Sequence, residues 1–184
     1  IGRGRELVAL IDAWQAGRTA LLLGEPGLGK SRLLAEFAAG RRVFSVQGRP
    51  GDAGVPYATL ARLLRAVLDR AAIELPAPRR TELARLLPEL APSVPLPADG
   101  QRLLLQGAVE GVLAQAGIDG APIEGLIVDD LHFADDASVE MLQALANAEA
   151  LHGLRWALAQ RPGEGSAAAA TLRGALEEAQ MLLP

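Results

Sequence analysis

Cysteine is absent from the 184 residues. That excludes disulfide bridges, a thiolate metal site and a cysteine nucleophile, and it leads to the expectation of a reducing, cytoplasmic setting. Histidine occurs only as His132 and His152, without the ligand spacing that a zinc-type centre needs. Aromatic residues make up 3 per cent of the chain, so a core has to be filled with Leu, Ala, Val and Ile. Long apolar runs are missing too. No stretch reaches the roughly 18 uninterrupted apolar residues of a membrane span. The opening IGRGRELVAL is broken by arginines and a glutamate, unlike a secretory signal. A net charge of −4 argues against a general nucleic-acid-binding surface. Neither a membrane nor direct nucleic-acid contact is therefore expected of this segment. No serine stands in a nucleophile-elbow sequence, and no acid pair has the surroundings of a glycosidase site. The chain opens on Ile1 rather than Met, and a segment of something longer is expected.

What is present suffices for one domain with a full apolar core: 184 residues, half of them hydrophobic. The stretch around which the rest is organised is Thr19 to Ser31, TALLLGEPGLGKS. It reads as a short apolar strand, a glycine-rich turn, and a lysine and hydroxyl residue opening a helix. Gly24, Gly27 and Gly29 let the backbone turn inward so that successive N–H groups converge on phosphate oxygens. Lys30 adds a point charge, and Ser31 offers a hydroxyl to a magnesium ion. Gly24 to Ser31 satisfies G-x-x-x-x-G-K-[ST] in full. The competing reading is a glycine-rich strand-to-helix turn in some other α/β protein.

Apolar spacing predicts helices over 6–16, 30–39, 57–72, 80–87, 99–116, 135–149 and 167–178, and strands at 21–23, 43–47, 123–130, 154–159 and 181–183. Proline-rich breaks at 76–78 and 88–97 bracket the short helix, and the insert between the second and third strands has the loosest boundaries. Arg62, Arg65 and Arg70 belong to the polar surface of the helix after Tyr57, as solvated charges rather than a nucleic-acid patch. Strands separated by crossover-length helices predict an α/β fold, a three-layer αβα sandwich on a mostly parallel sheet.

The second anchor is Asp129-Asp130, which closes the third strand. A magnesium–nucleotide complex needs an oxygen ligand opposite the phosphates, and a carboxylate leaving a strand next to the cradle strand fits that need. Asp129 is assigned to the metal. Asp130, pointing the other way along a strand, is assigned to the attacking water. Mere strand termination is the alternative for the pair. His132 is expected to be a neutral histidine hydrogen-bonded near the acids, and His152 a surface or cap residue. Asp135 or Asp136 is expected to cap the following helix. Arg161 lies just beyond the fourth strand, where it reaches a γ-phosphate or is a plain loop arginine; Gln160 is a second polar sensor candidate.

Taken together, these segments resemble the bacterial AAA+ and STAND-type P-loop ATPases of large signalling and transcriptional regulator proteins. The resemblance rests on Gly2-Arg3-Gly4-Arg5-Glu6-Leu7, Gly24 to Ser31, Pro56-Tyr57 with Leu60, Leu126 to Asp136, and Arg161-Pro162. It implies base-side contacts from Ile1, Gly2 and Arg3, although Gly4 stands where the family carries an acid. It implies ATP or ADP held by Gly24, Glu25, Pro26, Gly27, Leu28, Gly29, Lys30, Ser31 and Arg32, and Mg2+ held by Ser31 and Asp129. It also implies a five-stranded sheet of order 5-1-4-3-2 and a C-terminal helical lid, before which this P-loop ATPase core (1–184) stops. The expected partners are nucleotide, the lid and effector domains of the same protein, and further copies in a nucleotide-dependent association. The expected function is slow ATP hydrolysis as a conformational switch. A ring-forming remodelling or nucleic-acid-loading ATPase and a non-hydrolysing nucleotide-binding scaffold are the alternatives, with a small-molecule kinase less favoured because no acceptor-binding feature stands out.

Overall fold

The computed structural model describes residues 4–178, apart from 93 and 97, together with 182–183. Helix α1 (Gly4–Gln15) leads to β1 (Ala20–Leu23), the loop 24–29, α2 (Lys30–Ala38) and β2 (Val43–Gln47). The insert holds α3 (Ala58–Arg70), α4 (Ala77–Leu83) and α5 (Arg102–Leu113). A small hairpin of β3 (Gly117–Ile118) and β4 (Ala121–Pro122) precedes β5 (Gly125–Asp129). Then follow α6 (Asp136–Ala146), β6 (Arg155–Gln160), α7 (Ala167–Glu178) and the two-residue β7 (Leu182–Leu183).

Strands β2, β5, β6 and β1 lie side by side in that order, all parallel. The short β7 pairs with the other side of β1 through Leu21 and Leu22. The side-chain period of two divides each strand between two cores. Ala20, Leu22, Val43, Ile127, Ala157 and Ala159 face Leu10 and Trp14 of α1 and Leu33, Leu34 and Phe37 of α2. Leu21, Phe44, Val46, Leu126, Val128, Trp156 and Leu158 face the other way, into the core made with α3, α5, α6 and α7. Trp14 meets Phe37 edge-on, with centroids 5.0 Å apart. Each such fully buried large side chain contributes about 1.5–3 kcal/mol.

Four expectations are corrected. The helix placed at 80–87 runs from Ala77 to Leu83, with proline in its first turn, because the amide that Pro78 lacks would have no partner there anyway. The helix placed at 99–116 divides into a 3-10 turn at Asp99–Gln101 and α5. The apolar run from Ile123 enters the sheet only at Gly125, since Ile123 N–H is spent on Ala116 C=O, 3.1 Å away at the foot of the hairpin. The carboxylate strand is also not next to the cradle strand. Both sides of β1 are hydrogen-bonded, to β6 and to β7, so β6 stands between β1 and β5. Cradle and acids are thus two inter-strand spacings apart, about 10 Å.

The turn after β5 is fastened to the turn after β2. Asp135 is 2 per cent exposed and caps α6 by accepting from Ser138 N–H at 2.8 Å. Its oxygens also accept from Tyr57 N–H at 2.6 Å and Thr59 N–H at 3.3 Å at the start of α3. One carboxylate therefore closes two helix N-termini. Asp52, buried beside it, accepts from Thr59 Oγ1 and from the guanidinium of Arg62.

Candidate functional site

The phosphate loop joins the carboxyl end of β1 to α2. Gly27 and Gly29 sit at φ 79° and 78°, in the left-handed region that glycine adopts without a Cβ penalty. This geometry turns the chain so that α2 begins on Lys30. Among the described residues the N–H groups of Gly27, Gly29, Lys30 and Ser31 have no protein acceptor, as befits the orphan donors of a helix start, and the helix dipole adds to their pull on an anion. Glu25, Pro26, Leu28, Ser31 and Arg32 are exposed around the turn. Lys30 is not. It is buried, and its Nζ donates to the carbonyls of Gly24 and Glu25, folded back over its own loop.

The acids leave the sheet differently from a strand alternation. Strand β5 ends at Asp129, whose Oδ1 accepts from the Asp130 N–H at 2.8 Å. Asp130 then turns into the left-handed region, φ 49° and ψ 44°. Its side-chain direction is therefore set by this turn and not by the pleat. Such a conformation costs a non-glycine residue about 1–3 kcal/mol and persists only where the surroundings impose it. Two neighbours do so. Gln47 Nε2, at the tip of β2, donates to Asp130 Oδ2 at 2.8 Å. Gly48 passes so close that a Cβ on it would stand 2.4 Å from the Asp130 carbonyl oxygen, while its N–H donates to the Asp129 carbonyl at 2.9 Å.

Between cradle and acids lies the tip of β6. Gln160 pairs in register with Leu23, its carbonyl accepts from Gly24 N–H, and its side-chain Nε2 donates to the Glu164 carbonyl at 2.6 Å. Gln160 Oε1 is buried without a partner. Arg161 Nη1 stands 3.4 Å from Glu164 Oε2, with its guanidinium 5.4 Å from the centre of the Phe133 ring. The arginine expected at a γ-phosphate is thus engaged by a carboxylate of its own loop.

His132 is buried behind Asp130, and the expected hydrogen bond is not made: neither ring nitrogen has a partner. Burial pushes its pKa below the ordinary value. Asp130 and Glu164 pull it upward, and Arg161 and Lys30 push it down, so the imidazole is neutral at pH 7. His152 is exposed after the turn Glu149–Leu151. Asp136 Oδ1 accepts from Ala168 N–H at 3.0 Å and joins α6 to α7. Arg62 pairs with Asp52, Arg65 with Glu89, and Arg70 lies over the Phe44 ring. Ile1, Gly2 and Arg3 lie outside the described residues.

The donor set fits magnesium. Ser31 and Asp129 offer a hydroxyl and a carboxylate oxygen, the hard ligands that Mg2+ takes together with phosphate oxygens and water. Among the described residues no group of three or more His, Asp or Glu gathers into a metal-holding cluster. An apolar cavity of about 230 Å³ lies elsewhere, under α6 and α7 beside Trp156 and Leu172, and it carries no reactive group.

Gln47, Gly48 and Glu164 are the residues that sequence reasoning passed over. A polar residue and a glycine at the carboxyl tip of a parallel strand are a usable signal, because ligands of α/β sheets bind at that edge. Glu164, inside a loop, offers none. Over residues 1–157 the chain matches the family described as AAA ATPase domain. A search of the curated proteins returned no match.

Proposed function

The chain belongs to the AAA ATPase domain family, and from that premise we propose that it binds Mg-ATP and hydrolyses it slowly, as a conformational switch within a larger regulatory protein. The observation that carries this reading is the set of unpartnered amides of Gly27, Gly29, Lys30 and Ser31 beside the buried Lys30 ammonium. Lys30 exchanges the Gly24 and Glu25 carbonyls for β- and γ-phosphate oxygens, and the amides donate to the same group. Ser31 and Asp129 are the residues that would hold magnesium, which neutralises developing phosphate charge when bound. Asp130 orients the attacking water and takes its proton. Arg161 leaves Glu164 for the γ-phosphate and Gln160 stands beside it, so the presence of that phosphate is felt in the loop 161–165. The sheet is read as the 5-1-4-3-2 arrangement of P-loop ATPases, and the partners as lid and effector domains and further copies of the chain.

Equilibrium binding of ATP and ADP to the wild type and to Lys30→Ala tests the reading. Affinity at least about tenfold weaker in the variant is expected, in line with loss of a charge-assisted contact. Equal affinity would remove the proposal.

A further inference from the structure

The loop 161–165 faces the turn 130–133 across the His132 ring, whose nitrogens bond to neither segment's carboxylate. His132 has a side chain 1 per cent exposed, with Nδ1 3.9 Å from Asp130 Oδ1 and Nε2 3.7 Å from Glu164 Oε2. Both nitrogens are buried without a partner. Phe133 packs against one side of the ring, at 4.1 Å between centroids. The backbone comes close here as well, because a Cβ on Gly165 would lie 3.5 Å from the His132 Cα and 3.0 Å from Gln160 Nε2. Each carboxylate is within about 1 Å of hydrogen-bonding distance.

A neutral imidazole has one N–H and one lone pair, whereas an ionised carboxylate only accepts. His132 can therefore serve Asp130 or Glu164, never both. Glu164 Oε2 is also the atom that engages Arg161. With the proton on Nδ1, Asp130 is held from behind and Glu164 remains with Arg161. With the proton on Nε2, His132 takes Glu164 and Arg161 is freed, while Asp130 keeps only its bond from Gln47.

We propose that His132 is a positioning residue for the hydrolytic step, whose single N–H is allotted either to Asp130 or to Glu164 and so ties the water-orienting acid to the arginine loop. This rests on the ATPase reading given above. His132 touches neither nucleotide nor water in this scheme, and it acts through the two carboxylates. The Nδ1 contact sets turnover because Asp130 handles the water. The Nε2 contact sets only the freedom of Arg161.

Asparagine places its amide N–H where Nδ1 stands, and glutamine places it where Nε2 stands. Single-turnover ATP cleavage and ATP affinity would be measured on the full chain carrying His132→Asn, His132→Gln or His132→Phe, with Lys30→Ala alongside. His132→Phe and His132→Gln are expected to slow cleavage about tenfold with affinity within about twofold of wild type, and His132→Asn to recover most of the rate. The asparagine–glutamine contrast stands whether or not the phenylalanine variant folds. Wild-type cleavage by His132→Gln, or equal recovery by both amides, overturns the proposal. If Lys30→Ala binds ATP like the wild type, the nucleotide reading itself falls; if it loses binding while the His132 variants cleave normally, only the role of His132 falls.

Discussion

Gln47 and Asp130, 83 residues apart, are joined by a 2.8 Å hydrogen bond from the glutamine amide to the aspartate carboxylate. The bond exists because β2 and β5 pair in a register that sets Gln47 opposite Asp129, leaving Asp130 to turn back over the strand tip. It restrains a carboxylate that the backbone already holds in an uncommon conformation. Gln47→Ala is expected to lower kcat about tenfold with KM within about twofold, since an unrestrained acid spends less time in the productive geometry. Steady-state kinetics at saturating ATP separate the two parameters. An unchanged kcat would mean that the bond is decorative.

Asp130→Asn keeps the shape and the acceptor oxygen but cannot take a proton. ATP cleavage should fall about a hundredfold or more while ATP affinity changes little. Rapid-quench cleavage with isothermal titration checks both halves, and undiminished cleavage would strip Asp130 of its assigned role.

Gly48→Ala puts a methyl carbon where only 2.4 Å separates it from the Asp130 carbonyl oxygen. Backbone must move on one side or the other. A stability loss of about 1–3 kcal/mol is expected, the usual range for overpacking, together with slower turnover because the acid segment moves. Chemical denaturation would read the first effect, and an unaltered midpoint would contradict the close approach.

Removing the Asp135 carboxylate leaves three backbone N–H groups, those of Tyr57, Thr59 and Ser138, without their acceptor. Asp135→Ala should destabilise the fold by about 3–5 kcal/mol, more than loss of an ordinary helix cap, because buried donors stay unsatisfied. Urea unfolding of the variant measures this directly.

Asp52 gives a pH signature. Burial alone would raise its pKa, but the Arg62 hydrogen bond, the Arg49 N–H, the Arg62 charge and the Thr59 hydroxyl outweigh it and hold the carboxyl below its ordinary value of 3.8. A carboxyl depressed in the folded state stabilises the fold fully above its unfolded pKa. That contribution is lost as pH falls through the folded value. The stability gap between wild type and Asp52→Asn should be flat above about pH 5 and close below it. A gap independent of pH would place no ionised carboxylate there.

The local elements could be read in advance because their causes are local. Continuous apolar runs such as Gly125 to Asp129 become strands covered on both faces, helix-spaced apolar residues such as Leu60, Leu63, Leu64 and Val67 become a buried face, and the phosphate loop is contiguous, so its glycines and Lys30 announce themselves. Boundaries slipped where proline chemistry or a small hairpin intervened, at Pro78 and at 117–122.

What the amino-acid sequence determined by itself is therefore the α/β character, the parallel sheet and the existence of a phosphate-type turn, all consequences of spacing along the chain. Tertiary structure alone decided which groups surround that turn. Strand β6 came between cradle and acids because hydrogen-bonding positions on both sides of β1 were taken. Asp130 left the pleat because Gly48 and Gln47 hold it from a different strand. The His132 ring nitrogens came to lie between Asp130 and Glu164 without a hydrogen bond because the β6 loop packs onto the turn after β5. Contacts between residues so far apart depend on register and packing, and neither is written in any short stretch of residues.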